Sequence, residues 1–521
     1  MSQLQKKASA SNMIAGMLMI INIIIIGFAY THNPNLYWWL LLSVPLLLLC
    51  TWDRNQKHHA ILKNYPVIGH LRYLLESIRP ELRQYFFETD LDGKPFNRRQ
   101  RSVVYQRSKN EKQTVAFGMQ ADPTKPGYEW AAHSVYPVRI DKNDLRVWIG
   151  NGQCMQPYHA SIYNIGAMSY GALSKTAIAS LNEGAKLGGF AHNTGEGGIS
   201  DHHLKGGDLI WQVGTGYFGC RDQQGNFSAM AFRKQALNPA IKMIELKLSQ
   251  GAKPGHGGIL PAKKNTPEIA AIRQVVAGTA VHSPGAHSVF DSPEGLVEFL
   301  QLLRELSNGK PVGFKICIGD RQEFIDICHA IKTTGLIPDF ITVDGAEGGT
   351  GAAPLEFTDS LGMPLYDAIA FVKQTLDNYD LTRSVKIIAA GKIITGFDIL
   401  KVLALGASAC YSARGMMMAL GCIQALICDT DRCPVGVATQ NPSLYKGLDP
   451  EVKKVRVANF HANTMEATKE LMEACGFHNL AGIVPSKFFR RVNEYQVKNF
   501  EQIYFPGKQG NLQYKYSSQL N

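Results

Sequence analysis

Two uncharged runs open the chain. Residues 13–30 (MIAGMLMIINIIIIGFAY) form the first. Its length is about the minimum for a membrane-spanning helix. After THNPN (31–35) a second uncharged run covers 36–52. Tyr37, Trp38, Trp39 and Trp52 stand at its two ends, as an aromatic belt does. Pro45 inside it kinks a lipid-embedded helix without breaking it. Lys6 and Lys7 precede the first run, and Arg54 and Lys57 follow the second. The positive-inside rule then puts both flanks in the cytoplasm and predicts a helical hairpin. A signal peptide is the alternative for the first run, but no clear small-x-small cleavage site follows and a second run comes at once.

From about Ser161 the pattern changes to short apolar runs that end in glycine-rich or polar loops, with amphipathic stretches between them. Runs at 163–168, 188–191, 210–213, 243–248, 279–282, 312–317, 340–343, 386–389 and 407–411 predict strands, with one of the nine surplus. Helices are predicted at 292–306 and 364–376, among others. Strands alternating with helices argue for a parallel sheet covered by helices. About eight such units fit an α/β fold of the (β/α)8 TIM-barrel type; a doubly wound open sheet is the alternative. TGEGG (194–198), GAKPGHGG (251–258) and GAEGGTG (345–351) each follow a predicted strand. They therefore fall at the C-terminal face, where barrel active sites lie. GTGYFG (214–219) has the spacing of a dinucleotide fingerprint but runs into a polar turn, and no acid follows at the required distance. NAD(P) binding is not expected there.

Composition narrows the classes. The 521 residues are 45% hydrophobic and 19% charged, so the chain is globular and not disordered. The net charge of +11 would suit a nucleic-acid protein, but its placement does not. Residues 53–112 hold 13 lysines and arginines against 7 acids, directly after the hydrophobic runs. That favours anionic lipid head groups, and no nucleic-acid partner is expected. Four regions follow: two transmembrane helices (1–52), a basic extension packing on the barrel (53–160), the barrel (161–450) and a C-terminal helical extension (451–521).

Ten cysteines are too few for a disulfide scaffold. Seven are scattered and read as reduced core residues. Cys422, Cys428 and Cys433 are grouped as C-x5-C-x4-C with Pro434 after the last. Three soft thiolates can hold a metal centre. Zinc prefers a fourth ligand and closer spacing. Iron–sulfur ligation with a following proline fits better, and three ligands suit a 3Fe–4S centre. Zinc and plain core cysteines remain the alternatives.

The segment CIQALICDTDRCPVGVATQ (422–440) closely resembles the cluster segment of glutamate synthase. The resemblance continues through GAMSYGALS (166–174), HNTGEGG (192–198), QGAKPGHGGILP (250–261) and DGAEGGTGAAP (344–354), in the family's order. It is closest to FMN-binding, glutamate-synthase-like proteins with a short membrane anchor, and NYPVIGHLRYLLESIRPELRQYF (64–86) also resembles their N-terminal region. The resemblance implies an FMN-dependent barrel with a 3Fe–4S cluster that reduces 2-iminoglutarate, made from 2-oxoglutarate and ammonia, to L-glutamate. It implies that Ala167, Met168 and Ser169 border the flavin ring and that Lys315 lies near its N1–C2=O edge. Asp344, Gly348 and Gly349 would join the cofactor site, and Gly391, Ala413, Arg414 and Gly415 would cradle the phosphate. Glu196, Gln250, Lys253 and Arg273 would surround the oxo acid, with Glu196 and Lys253 the catalytic pair.

Departures from the family bear on the substrate. His256 stands where a Glu is expected and Ile259 where a Gln is expected. No glutaminase domain or N-terminal cysteine nucleophile is expected from the start MSQLQ, and no large β-helical domain after Pro450. Ammonia would come from solution or from a separate glutaminase subunit, and electrons through the cluster from a separate donor. Two other readings stay open: a related FMN enzyme for a different amino or oxo acid, and a membrane-tethered electron-transfer component.

Overall fold

The computed structural model describes residues 10–111 and 114–508. The chain divides into two compact units, Met1–Arg98 and Arg99–Asn521.

In the first unit, α1 (Ala10–Thr31) and α2 (Leu40–Asn55) are joined by a 3-10 turn, Pro34–Trp39. Asn33 caps that turn by accepting from the Asn35 amide at 3.0 Å. Asn22 and Ser43 are buried between the helices, and the Ser43 hydroxyl donates to Asn22 Oδ1 at 2.9 Å. This hydrogen bond joins the two helices across their shared face. Arg54 donates to Asn12 Oδ1 at 2.7 Å and ties the open end. Ile20, Ile23, Ile24, Leu41, Leu42 and Leu48 face outward. Both helical segments are long and apolar enough to cross a membrane. Lys6 and Lys7 lie outside the described residues. After one short turn of helix, Ala60–Asn64, comes the longer α3 (Gly69–Leu82).

In the second unit, eight parallel strands close into a barrel. They are β1 (Tyr163–Ile165), β2 (His192–Asn193), β3 (Leu209–Val213), β4 (Ile241–Lys247), β5 (Val312–Ile316), β6 (Phe340–Asp344), β7 (Lys386–Ala390) and β8 (Ala409–Ser412). Runs such as FITVD and KIIAA are buried on both faces, which a helix-covered parallel sheet requires. The ring closes where Cys410 of β8 pairs with Tyr163 of β1. The covering helices include α4 (Lys175–Gly188), α5 (Pro267–Arg273), α6 (Pro293–Leu306), α7 (Arg321–Thr334), α8 (Leu365–Asn378), α9 (Gly396–Ala404) and α10 (Arg414–Leu420), with the short helix Ala229–Ala236 between β3 and β4. A long α11 (Pro450–Cys475) packs on α4 and α9. Most start on a side-chain cap: Ser174, Thr266, Ser292, Asp320 and Thr395 each accept from a first-turn amide. The expected helices at 292–306 and 364–376 are α6 and α8, with Ser292 and Pro364 as the residues before them.

Two strand expectations need correction. The strand expected at 188–191 is β2, displaced to His192–Asn193, because α4 runs on to Gly188 and ends on Gly189. Gly189 has φ 66, which a residue with a Cβ adopts only at a cost. The strand expected at 279–282 is the surplus one. Only Val281–His282 is extended, and it pairs antiparallel with Ile259–Leu260 outside the barrel.

A hairpin, Arg146–Ile149 with Tyr158–Ser161, forms the floor at the N-terminal ends of the strands. Its Ile149 and Ala160 share one core cluster with Ala191, Ile210, Met243, Phe340, Ile388, Ala409 and Tyr411. Above that layer the barrel centre is polar. Glu245 of β4 is fully buried and accepts from Asn193 Nδ2 at 2.8 Å, Gln212 Nε2 at 2.7 Å and Thr342 Oγ1 at 2.6 Å. No cation lies within ion-pair distance of it among the described residues. Burial, then the nearby Glu245, pushes the Tyr411 phenol far up, so it stays neutral.

Truncating Glu245 strands three buried donors at once. Each unsatisfied buried group costs about 1–3 kcal/mol. Glu245→Ala is therefore expected to destabilise the barrel by at least about 3 kcal/mol, whereas Glu245→Gln, which keeps one acceptor oxygen, should lose less. Chemical denaturation of the two variants beside the parent checks this; equal loss in both would refute it.

Candidate functional site

The C-terminal ends of the strands form one rim, and the expected ligand-holding residues lie on it. Around the ring, Lys315 is in the end of β5, and Asp344 ends β6 with Gly348 and Gly349 just after it. Gly391 follows β7. Ala413, Arg414 and Gly415 lead from β8 into α10, and Ala167, Met168 and Ser169 follow β1. These five strands are neighbours in pairing order, so the residues make a continuous arc. The opposite arc is β2, β3 and β4. Glu196 follows β2, Gln250 and Lys253 follow β4, and Arg273 ends α5 in the β4–β5 connection. Strand order thus separates the two expected groups into facing halves of one mouth.

The second arc is tightly built around Glu196. Gly195 sits at φ 65, and a Cβ there would come within 2.7 Å of the Ser169 amide nitrogen. The loop after β2 and the loop after β1 therefore press backbone to backbone. Lys247 Nζ donates to Glu196 Oε1 and to Gln250 Oε1, both at 2.7 Å. Burial alone would raise the Glu196 carboxyl. Lys247 first, then Lys253 and Arg273, outweigh burial and hold it below the usual carboxylate value. Lys253 donates to the Ala352 carbonyl at 2.9 Å, and burial brings its ammonium down to about 8. Arg273 is drawn down to about 10 by burial. It donates to the Tyr170 carbonyl at 3.1 Å and lies over the Phe218 ring at 5.1 Å. His287, pushed to about 4 by burial and so neutral, lies 3.0 Å from the Lys247 carbonyl.

Lys247 is the site residue that sequence reasoning missed. Its signal was present: in IKMIELK, Glu245 and Lys247 are two apart and so share one face, while Lys242 is on the other. On the other arc, Lys315 Nζ stands 3.5 Å from Asp344 Oδ2. Arg414 donates to the Glu347 carbonyl. Of the two departures, the His256 ring lies edge-on to Phe357 with centroids 5.3 Å apart. Ile259 pairs with His282 in the short ladder, next to Gly258. A Cβ on Gly258 would meet Glu196 Oε1 at 2.8 Å, so Ile259 is one residue from the centre of the arc.

Cys422, Cys428 and Cys433 line one small pocket, with Met417, Ile427, Val435 and Ala438 among its apolar walls. Burial pushes the Cys422 thiol up to about 12 and raises Cys428. Among the described residues no three His, Cys, Asp or Glu side chains are arranged to hold a single metal ion. Gln424, Leu426 and Asp431 all have φ near +60, a conformation costly for residues with a Cβ. This loop is fastened to the one after β1. Lys264, buried, donates to the carbonyls of Ala172 at 2.6 Å and of Cys428 and Ala438 at 3.2 Å. Gln440 donates to the Leu173 carbonyl at 2.8 Å, and Ser174 to that of Gly436 at 2.7 Å.

Residues 136–478 match the family described as the conserved region in glutamate synthase. The glutamate synthase large subunit-like protein YerD of Bacillus subtilis is 38% identical, over 84% of this chain and 92% of that one. An archaeal glutamate synthase [NADPH] of Methanocaldococcus jannaschii is 39% identical, over 61% of this chain and 60% of that one. The chain thus spans nearly all of the first relative and about three fifths of the archaeal one. A glutamate synthase large subunit-like protein of Rhizobium meliloti is 28% identical, over 73% of this chain and 87% of that one.

Removing the Lys247 charge tests the electrostatics of the second arc. In Lys247→Met the Glu196 carboxyl loses its nearest cation and should titrate at higher pH than in the parent. Isotope-edited infrared titration of the carboxyl reads this directly; an unchanged midpoint would show that Lys247 does not hold Glu196 ionised.

Proposed function

The chain belongs to the glutamate synthase family through its conserved region, and from that premise we propose that it is an FMN-dependent oxidoreductase that reduces 2-iminoglutarate, formed from 2-oxoglutarate and ammonia, to L-glutamate. The charge of the second arc carries this reading. Lys247, Lys253 and Arg273 surround the single carboxylate of Glu196. Three cations against one anion leave two positive charges unmatched in a buried mouth. A dicarboxylate supplies two negative charges, and guanidinium and ammonium groups suit carboxylates.

Arg273 and Lys253 hold the two carboxylates of the oxo acid, and the Gln250 amide, fixed by Lys247, borders them. Glu196, kept ionised, accepts a hydrogen bond from the protonated imine nitrogen and orients it. The first arc fits FMN. Lys315 and Arg414 supply cations, and a Cβ on Gly391 would find nothing nearer than 3.5 Å. The first turn of α10 offers backbone amides for a phosphate beside Ala413, Arg414 and Gly415. Ala167, Met168 and Ser169 would border the ring, with Asp344, Gly348 and Gly349 beside it. FMN, when bound, supplies the hydride. The three soft sulfurs and apolar walls around Cys422, Cys428 and Cys433 fit a 3Fe–4S cluster, which supplies one-electron transfer. The hairpin anchors the chain in a membrane, with Arg54 and Lys57 favouring a cytoplasmic barrel. In this reading ammonia comes from solution or from a glutaminase subunit, and electrons pass through the cluster from a separate donor.

One observation favours a second reading. Ile259 puts an apolar side chain beside the centre of the substrate arc, which suits a less polar oxo acid. In Ile259→Gln, improved use of 2-oxoglutarate supports the first reading. Loss of a native activity on a more apolar oxo acid supports the second.

Arg273→Ala removes a charge-assisted contact worth about 1.5–3 kcal/mol. It should weaken use of 2-oxoglutarate roughly 10- to 150-fold with flavin content unchanged, as read by anaerobic oxidation of the reduced flavin with oxo acid and ammonium. Lys253 adds a pH signature. Its pKa is lowered to about 8, so the ammonium is charged below that value and neutral above it. Affinity for the oxo acid should be full at lower pH and fall as pH rises through about 8, and Lys253→Gln should remove that slope. A slope that survives the substitution refutes the assignment. For the cluster, Cys422→Ser, Cys428→Ser or Cys433→Ser should each abolish bound iron and its paramagnetic signal, while Cys475→Ser should not. Stoichiometric zinc in anaerobically purified protein would overturn the cluster.

A further inference from the structure

Helix α3 has an apolar face that nothing among the described residues covers. Leu71, Leu74, Leu75 and Ile78 recur at helical spacing and are 56%, 57%, 50% and 40% exposed. With Leu82 they fill one stripe roughly 100° wide, the pattern of an amphipathic helix. Arg72, Arg79 and Arg83 lie together on one flank of that stripe. The helix runs straight on into Arg83–Phe87, where Tyr85, Phe86 and Phe87 are exposed in succession, the last two at 77%. A soluble surface rarely leaves such a patch bare.

The position of the helix is fixed from its own unit. Asp53, in the last turn of α2, is almost fully buried. It accepts from the Val67 amide at 2.8 Å, and His70 Nε2 lies 2.9 Å from its other oxygen. The carboxylate therefore binds the start of α3 to the end of the second apolar span. Between Arg54 and Arg83 the chain carries six lysines and arginines against Glu76 and Glu81. Arg72 pairs with Glu76 and Arg83 with Glu88, whereas Lys57, Lys63 and Arg79 are exposed.

We propose that α3 and the aromatic turn after it lie flat in the membrane interface, with the leucine stripe and Phe86–Phe87 among the acyl chains and the basic residues on anionic head groups. This rests on reading the hairpin as membrane-spanning. It adds a second, in-plane contact to the two spans. An apolar stripe, a basic flank and aromatic residues at one end are what interfacial helices use. Each basic residue near an anionic surface strengthens the contact. Continuity with the spans and charge complementarity select lipid over a protein partner.

The test uses the full chain reconstituted in phosphatidylcholine vesicles with and without phosphatidylglycerol. A photo-reactive phenylalanine replaces, one at a time, Leu74, Phe86, Glu76 or Leu42. Positions 74 and 86 should cross-link to lipid and position 76 should not. The triple change of Lys57, Lys63 and Arg79 to Gln should lower the yield at 74 in the vesicles with phosphatidylglycerol and leave it unchanged in phosphatidylcholine alone. Cross-linking of position 74 to a second copy, to another protein or to nothing would overturn the proposal. Leu42 separates the two readings. If position 42 labels lipid and position 74 does not, only the interfacial helix fails; if position 42 does not label lipid, the hairpin reading fails with it.

Discussion

The mouth of the barrel depends on one carboxylate beneath it. Among the described residues no cation pairs with Glu245, and three hydrogen-bond donors satisfy it instead. Asn193, Gln212 and Thr342 belong to β2, β3 and β6, while Glu245 itself is on β4. One buried group thus fixes four of the eight strands across the centre. A buried carboxyl with no ion-pair partner is stable in such a place only when its hydrogen bonds are all made. The constraint reaches the rim by two short routes. Asn193 Oδ1 accepts from the Gly195 amide at 3.1 Å, which sets the loop carrying Glu196. Lys247 is two residues further along the same strand and on the same face. The ion pair between Glu196 and Lys247 is therefore set from both ends by the group below it.

The two halves of the rim have different chemical characters because different strands supply them. The half from β5 round to β1 alternates glycine-bearing loops with the Lys315–Asp344 pair. The half from β2 to β4 concentrates cations around one acid. The cysteine loop is not an appendage to either. Lys264, Gln440 and Ser174 bind it to the segment after β1, so a shift in one loop is felt in the other. Burial lowers the Lys264 ammonium below its usual value, against the opposing pull of Asp431 and then of Cys428 and Cys433 beside it.

Much of this was legible in the sequence. Glycine-rich loops after apolar runs located the rim, and the ordered motifs sorted its residues into the two groups that strand order then set face to face. The sequence was silent where tertiary contacts decide. Gly189 moved β2 four residues on, because a helix continues until a residue able to adopt a positive φ ends it. The 279–282 run has good strand composition but pairs with Ile259–Leu260, since the β4–β5 connection folds on itself. Lys247 escaped notice because a lysine at the end of an apolar strand is usually a solvated terminus; only closure of the ring turns it inward. The unpaired state of Glu245 could not be read from residue types, because its three donors come from strands far apart in the chain.

The hairpin Arg146–Ile149 with Tyr158–Ser161 has a consequence for how molecules come and go. With Ile149 and Ala160 packed into the lower core, nothing passes through the barrel from end to end. Among the described residues this leaves the rim at the C-terminal ends of the strands as the side from which the residues around Glu196 are approached. A molecule held against Glu196 would stand between that side and any second molecule, so the two could not occupy the arc by passing one another through the barrel.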